Sequence, residues 1–242
     1  MSEHGPIGYF VHHQGRGHAE RAAAIANALI ETRGVTLFCA RDDIFAALDE
    51  RIVVQTIPSL FEPTGQEAPA MAALPAPDTV HCAPLGWPSI TQAFAAIAQW
   101  FAEAQPALFI TDVSAELGQL ARLCSVPHVA VLQHGERSDP GHMAAYDSAV
   151  GLLAPYSERL EQHDRPAAMR RKTHYASGVG IDCSGFPDRA EARAKLGIDL
   201  QEDLVLVLAG GGVFGLVFGR HLLAAVVTRV GFLQAVEPAT PT

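Results

Sequence analysis

The chain has no block of lysine or arginine: 17 basic residues are scattered among 26 acidic ones, giving a net charge of −9. Nucleic acid, which calls for a concentrated basic face, is therefore a poor partner. Charged residues make up only 18% of the sequence and apolar residues 49%, ample for a core in a soluble α/β protein. The four cysteines, Cys39, Cys82, Cys124 and Cys183, are far apart and form no CxxC pair. Cys39 falls in an apolar strand-like run and Cys124 in a helical one, so buried free thiols are expected. The uncharged stretch Leu204–Gly219 is short of the ~20 residues that span a bilayer as a helix. A glycine triplet at 210–212 also breaks it, and Arg220-His221 closes it. The polar N-terminus runs directly into a strand-like segment, so no signal peptide is expected and the compartment is read as cytoplasmic. There is no P-loop, and Glu20 stands where a dinucleotide fingerprint needs its third glycine. Both absences argue against an NTPase or a dehydrogenase.

What the chain does have is concentrated between Ile7 and Leu29. Ile7 to Val11 is apolar and β-prone. A turn with Gly15, Arg16, Gly17 and His18 follows, and then Ala22, Ile25, Ala26 and Leu29 recur at helical spacing. This is a strand, a tight turn and a helix, the first half of a βαβ unit. Gly15 and Gly17 allow close backbone approach to a ligand, and the helix N-terminus suits an anion. Gly15, Arg16 and Gly17 are therefore candidate residues for binding the anionic group of a ligand.

The pattern then alternates. Strands are predicted at 35–39, 52–57, 107–111, 127–132, 150–154 and 173–180, with short or long helices at 42–48, 89–104, 116–123 and from Tyr156. Strands that are apolar throughout fit a parallel sheet covered on both faces. The fold class is α/β, a doubly wound, Rossmann-like parallel sheet. Seven prolines lie between Pro58 and Pro88, marking a long loop that is either a lid over a site or a disordered insertion. Phe61 and Trp87 are its larger side chains. A helix is predicted at 187–196, with Asp188 and Glu191 in its first turn. Residues 1–177 are read as the first domain and 178–203 as a linker. Residues 204–242 are read as the start of a second, incomplete Rossmann-like domain, because a complete one needs on the order of 100 residues.

Three motifs stand at predicted strand ends: Gly15-Arg16-Gly17-His18, Thr111-Asp112 and Gln133-His134-Gly135. In a doubly wound sheet the switch point lies between the first and fourth strands, so His18 and Asp112 should face each other across the crevice. A carboxylate that orients an imidazole makes it a general base for a substrate hydroxyl. Each residue also has a plainer reading: His18 as a helix cap or surface residue, Asp112 as an N-cap. Gln133 and His134 are candidate ligand contacts. His12, His13 and His18 raise the question of a metal. His12 and His13 would point to opposite faces of a strand, and no carboxylate–histidine spacing supports a site, so no metal is expected.

Four segments together carry a resemblance: GRGHAERAAAIANAL, FITDVSAELGQLARLCSVPHVAVLQHG, GLLAPYSERL and LVLVLAGGG. They are similar, in collinear order over roughly residues 6–212, to GT-B nucleotide-sugar glycosyltransferases. The likeness is to bacterial members related to UDP-glycosyltransferases and to lipid-intermediate GlcNAc transferases. The resemblance implies an N-terminal acceptor domain and a C-terminal donor domain, both Rossmann-like. It implies His18 as general base, Asp112 as its partner, and Gly210, Gly211 and Gly212 as the turn that approaches the donor's phosphates. The reaction implied is inverting hexosyl transfer to an acceptor hydroxyl, with a UDP-sugar or similar nucleotide sugar as co-substrate and no cofactor or metal. Peripheral membrane association is expected if the acceptor is lipid-linked. After Gly212 the sequence departs from the family, and most of a donor domain is missing. The chain is therefore expected to be inactive or incomplete by itself, with self-association through an exposed C-terminal segment. The alternatives are a non-catalytic Rossmann-like module that binds a ligand or partner and, with less support, a fragment of a sugar-nucleotide epimerase.

Overall fold

A computed structural model describes residues 5–45, 47–181 and 184–201. The chain divides into two units, residues 1–181 and 182–242. The first unit holds seven strands: β1 (Ile7–Phe10), β2 (Val35–Cys39), β3 (Val53–Thr56), β4 (Leu108–Asp112), β5 (His128–Val131), β6 (Gly151–Ala154) and β7 (Thr173–Tyr175). They form one sheet in the order β3-β2-β1-β4-β5-β6-β7, and every adjacent pair is parallel. The order reverses between β1 and β4, where the sequence placed the switch point.

Burial explains which segments became central strands. Every residue of β1 is buried, as are four of the five in β4. The edge strand β3 has no buried residue, and Val53 is exposed. Alternate residues of each strand feed two layers. Ile7, Tyr9, Val35, Leu37 and Ile110 pack with Ala22 and Ala26 of α1 (Arg16–Leu29). Phe10, Phe38 and Phe109 pack on the other face with Ile90, Ile97 and Phe101 of α3 (Pro88–Ala104). Buried alanines let α1 sit close to the sheet. On the α3 side Gly8 is required, because a Cβ there would meet the Trp100 ring at 2.7 Å. With helices on both faces, the sheet is doubly wound.

Several local expectations are corrected. No helix forms over 42–48 among the described residues. Asn27 of α1 instead holds that segment non-helical, its amide donating to the Ala47 carbonyl at 3.0 Å and its oxygen accepting from the Asp49 N–H at 2.9 Å. The proline-rich stretch contains a short helix, α2 (Pro69–Ala72). α4 (Ala115–Leu123) is as expected, but Cys124 is exposed, because it is the C-cap that leaves the helical path. Cys39 is buried as predicted. A helix not predicted, α5 (Pro140–Ser148), starts where Asp139 caps it and Pro140 takes its first position. From Tyr156 onward there is only a 3-10 turn, Glu158–Leu160, and then α6 (Ala167–Arg171). β7 stops at Tyr175, and Gly178 and Gly180 follow with positive φ.

In the second unit, α7 (Arg189–Leu196) is capped by Asp188, whose carboxylate accepts from the Glu191 N–H at 2.8 Å, and ends at Gly197 in the left-handed conformation. The strand expected at 204–208, the glycines at 210–212, Cys183 and the self-association segment lie outside the described residues. Among the described residues no helix is long and apolar enough to cross a membrane.

Candidate active site

The turn between β1 and α1 is built on Gly15, which has φ of +96°, a conformation that a side chain disfavours. No side chain caps α1; the His18 N–H turns back to the Gly15 carbonyl at 3.2 Å, which leaves the N–H groups of Arg16 and Gly17 for an anion. His13, Gly15 and Arg16 border a cleft of about 390 Å³ with Asp43, Ile44 and Phe45 from the turn after β2. Open space surrounds Gly17 where a Cβ would stand.

His18 and Asp112 meet. The His18 Nδ1 lies 3.1 Å from Oδ1 of Asp112, although the residues are 94 positions apart in sequence. The Asp112 side chain is fully buried, and that of His18 is 19% exposed. Asp112 is not the cap of α4: that role belongs to Ser114, whose hydroxyl accepts from the Leu117 N–H. Between them Val113 has φ of +77°, a strained conformation for a β-branched residue and one that accumulates at functional sites.

Sequence reasoning missed the third member. Arg21, one turn along α1, donates through Nη2 to both oxygens of Asp112 at 2.8 Å. A carboxylate this buried needs such a partner, because an uncompensated charge there is strongly destabilising. The same Nη2 lies 3.0 Å from Nδ1 of His18, and the two contacts at Nδ1 demand opposite tautomers. A hydrogen bond from His18 to Asp112 puts the proton on Nδ1 and leaves Nε2 with a lone pair. Donation from Arg21 to Nδ1 puts the proton on Nε2. The fixed spacing of residues 18 and 21 on one helix face was the available signal for Arg21.

His12 and His13 lie beyond the end of β1, so strand alternation does not separate them; their rings stack at 5.5 Å. The Gln14 N–H donates to Nδ1 of His12 at 3.0 Å, which places the proton of the neutral ring on Nε2. Burial, and then the neighbouring His18 and His13, push the His12 imidazole down to about 4. The proline-rich loop docks here: Phe61 stacks on His12 at 4.3 Å, and Glu62 reaches His13 Nε2 at 3.0 Å and the Gln14 amide at 2.9 Å. Burial also raises the Tyr9 hydroxyl well above its usual range, with the Asp112 charge adding to the effect.

Gln133 and His134 join a different set of partners. Gln133 accepts from Arg137 Nε and Nη2 at 3.1 and 2.8 Å, and the His134 ring meets Tyr156 edge-on at 5.8 Å.

Solved structures share this architecture. A UDP-glucosyltransferase from Polygonum tinctorium capable of glucosylating indoxyl aligns at 13% identity and a TM-score of 0.48, over 72% of this chain and 53% of that one. MurG of Acinetobacter baumannii aligns at 13% identity and a TM-score of 0.46, over 75% and 48%. The UDP-GlcNAc 2-epimerase of Methanocaldococcus jannaschii aligns at 11% and 0.40, over 62% and 39%. The chain is similar in fold to GT-B glycosyltransferases. It spans about half the length of the glycosyltransferase structures it matches. No protein-family model matches the sequence, and no curated protein does.

Proposed function

We propose that the first unit is the acceptor side of an inverting glycosyltransferase that uses a nucleotide sugar, with His18 as its general base. The observation that carries this reading is the pairing of His18 with a fully buried Asp112 at the switch point of the sheet. With its proton on Nδ1 and directed at Asp112, His18 presents the Nε2 lone pair to an acceptor hydroxyl. The hydroxyl oxygen attacks the anomeric carbon of the donor, the bond from that carbon to the diphosphate breaks, and the hydroxyl proton moves to Nε2. Asp112 then stabilises the imidazolium. Arg21 positions Asp112, and the Asp112-bound tautomer of His18 is the working one.

Gly15, Arg16 and Gly17 at the open start of α1 would face the anionic end of the donor. His12 and Phe61 form an aromatic wall beside His18 for the acceptor. Gln133 is committed to Arg137, so its acceptor role requires that pair to open. A UDP-sugar is the co-substrate that the sequence motifs favour, with a cytoplasmic setting.

The test is turnover in a preparation completed with a donor-binding domain. His18→Ala should lower the rate by a factor of ~100 or more; a rate near that of the unaltered protein sinks the base assignment. One observation favours a second reading. Arg21 occupies both oxygens of Asp112, as it would in a purely structural ion pair, and this suits a binding module without catalysis. Calorimetry that finds acceptor binding unaffected by nucleotide, together with no turnover, would select that reading.

A further inference from the structure

We infer that His81, Asp139 and His142 form a binding site for a divalent transition-metal cation, zinc first, that fastens the proline-rich loop to the start of α5. One donor atom from each residue lies within 4.8 Å of the other two. His81 Nδ1 is 3.5 Å from Asp139 Oδ1, and His142 Nδ1 is 2.6 Å from Asp139 Oδ2. Two imidazoles and a carboxylate are a zinc donor set, and donors at tetrahedral zinc stand roughly 3.3 Å apart given bonds of about 2.0 Å. The first separation fits, but the two run to different oxygens of Asp139, so the carboxylate must bind through both or turn to share one. The second is that of a hydrogen bond and has to open by about 0.7 Å. In doing so it exchanges a proton for a metal: Nδ1 of His142 gives its lone pair to the cation, and the proton reappears on Nε2, so the ring stays neutral.

The three groups come from two distant segments, and the contact between those segments is built. Glu116, buried in α4, accepts from the Cys82 N–H at 2.6 Å. Gln119 donates to the carbonyls of Thr79 and Gly141 at 3.2 and 3.3 Å. Gly141 lies so close that a Cβ there would meet the backbone nitrogen of His81 at 2.8 Å. The His142 side chain is only 4% exposed, while those of His81 and Asp139 are 47% and 40% exposed, which leaves an entry path and room for a solvent oxygen as fourth ligand. The positive end of α5 opposes a cation, but that effect is small beside coordination by a carboxylate and two imidazoles.

The experiment titrates chelator-treated whole protein with Co²⁺, read by its visible d–d absorption, and with Zn²⁺ by calorimetry. The expected result is one equivalent bound, with slowed hydrogen exchange at the amides of 79–83. His81→Ala alters an exposed side chain, and Asp139→Asn keeps an N-cap, so both variants should fold; each should weaken binding at least ~10-fold. His163→Ala should not change it. No binding of either cation at ~1 mM, or equal binding by His81→Ala, overturns the proposal. Neither readout depends on turnover, so the outcome is separate from that of the proposed function.

Discussion

Two parts of the same sheet handle buried charge differently. Beside β1 and β4, Asp112 is wholly buried and shared between Arg21 and His18. Beside β6 and β7, Glu161 is nearly buried and pairs with Arg165 at 2.7 Å, while the Tyr175 hydroxyl donates to its second oxygen at 2.9 Å. Arg165 in turn lies over the Tyr146 ring and donates to Gln162. The second cluster turns Arg165 and the Tyr175 hydroxyl onto Glu161 and ties the segment after β6 to β7. In the proposed function the first keeps Nε2 of His18 for the acceptor hydroxyl, at the sheet edge where ligands bind in this architecture.

The comparison breaks if the two clusters respond alike to substitution. Asp112→Asn removes the group that holds the Nδ1 proton, and turnover should fall by a factor on the order of 10³–10⁴. A fall below ~10-fold would make Asp112 structural, like Glu161. Arg165→Leu should instead act on stability, costing about 3–5 kcal/mol in urea unfolding because Glu161 is left buried without its partner. Calorimetric affinity for an acceptor should be unchanged in whatever fraction stays folded.

Acid sensitivity is a third feature, strongest at a histidine outside both clusters. His128, buried on Gly118 of α4, has its imidazole pushed down to about 4, by burial first. Its folded value lies below the unfolded value of ~6.5. Above that pH both states are neutral and nothing is lost. As pH falls from about 6.5 to 4, the unfolded chain takes the proton first, and stability drops by roughly 3 kcal/mol. Unfolding of His128→Leu followed across this window should show a flatter acid limb, with His12 leaving a residual slope. The smallest effect concerns Val113. Val113→Asn suits the positive φ better and should raise thermal stability by up to about 1 kcal/mol. A loss of stability would show that the valine side chain matters more than its backbone strain.

Much of this was readable before the structure. The strand, turn and helix from Ile7 to Leu29 showed in local pattern, and so did α3, whose apolar residues recur at helical spacing. Apolar, unalternating strands pointed to a parallel sheet, and the position of its reversal followed from chain order. α5 was missed because its residues show little segregation of apolar from polar positions, although Asp139-Pro140 carried a start signal. The segment 42–48 was misread because its apolar residues suit a helix, whereas Asn27, 20 positions away from Ala47, ties the backbone elsewhere. The pairing of His18 with Asp112 was expected from topology. The presence of Arg21 between them, and hence a choice of tautomer, was not.

Sequence by itself determined the local conformations, the two apolar faces of the sheet and the edge at which the polar motifs collect, because these depend on neighbouring residues and on periodicity. Tertiary structure alone decided which groups share Asp112, that the proline-rich loop docks through Phe61 and Glu62, and that His81 meets Asp139 and His142. Those facts depend on distances between segments far apart in the chain, which only the packed fold sets.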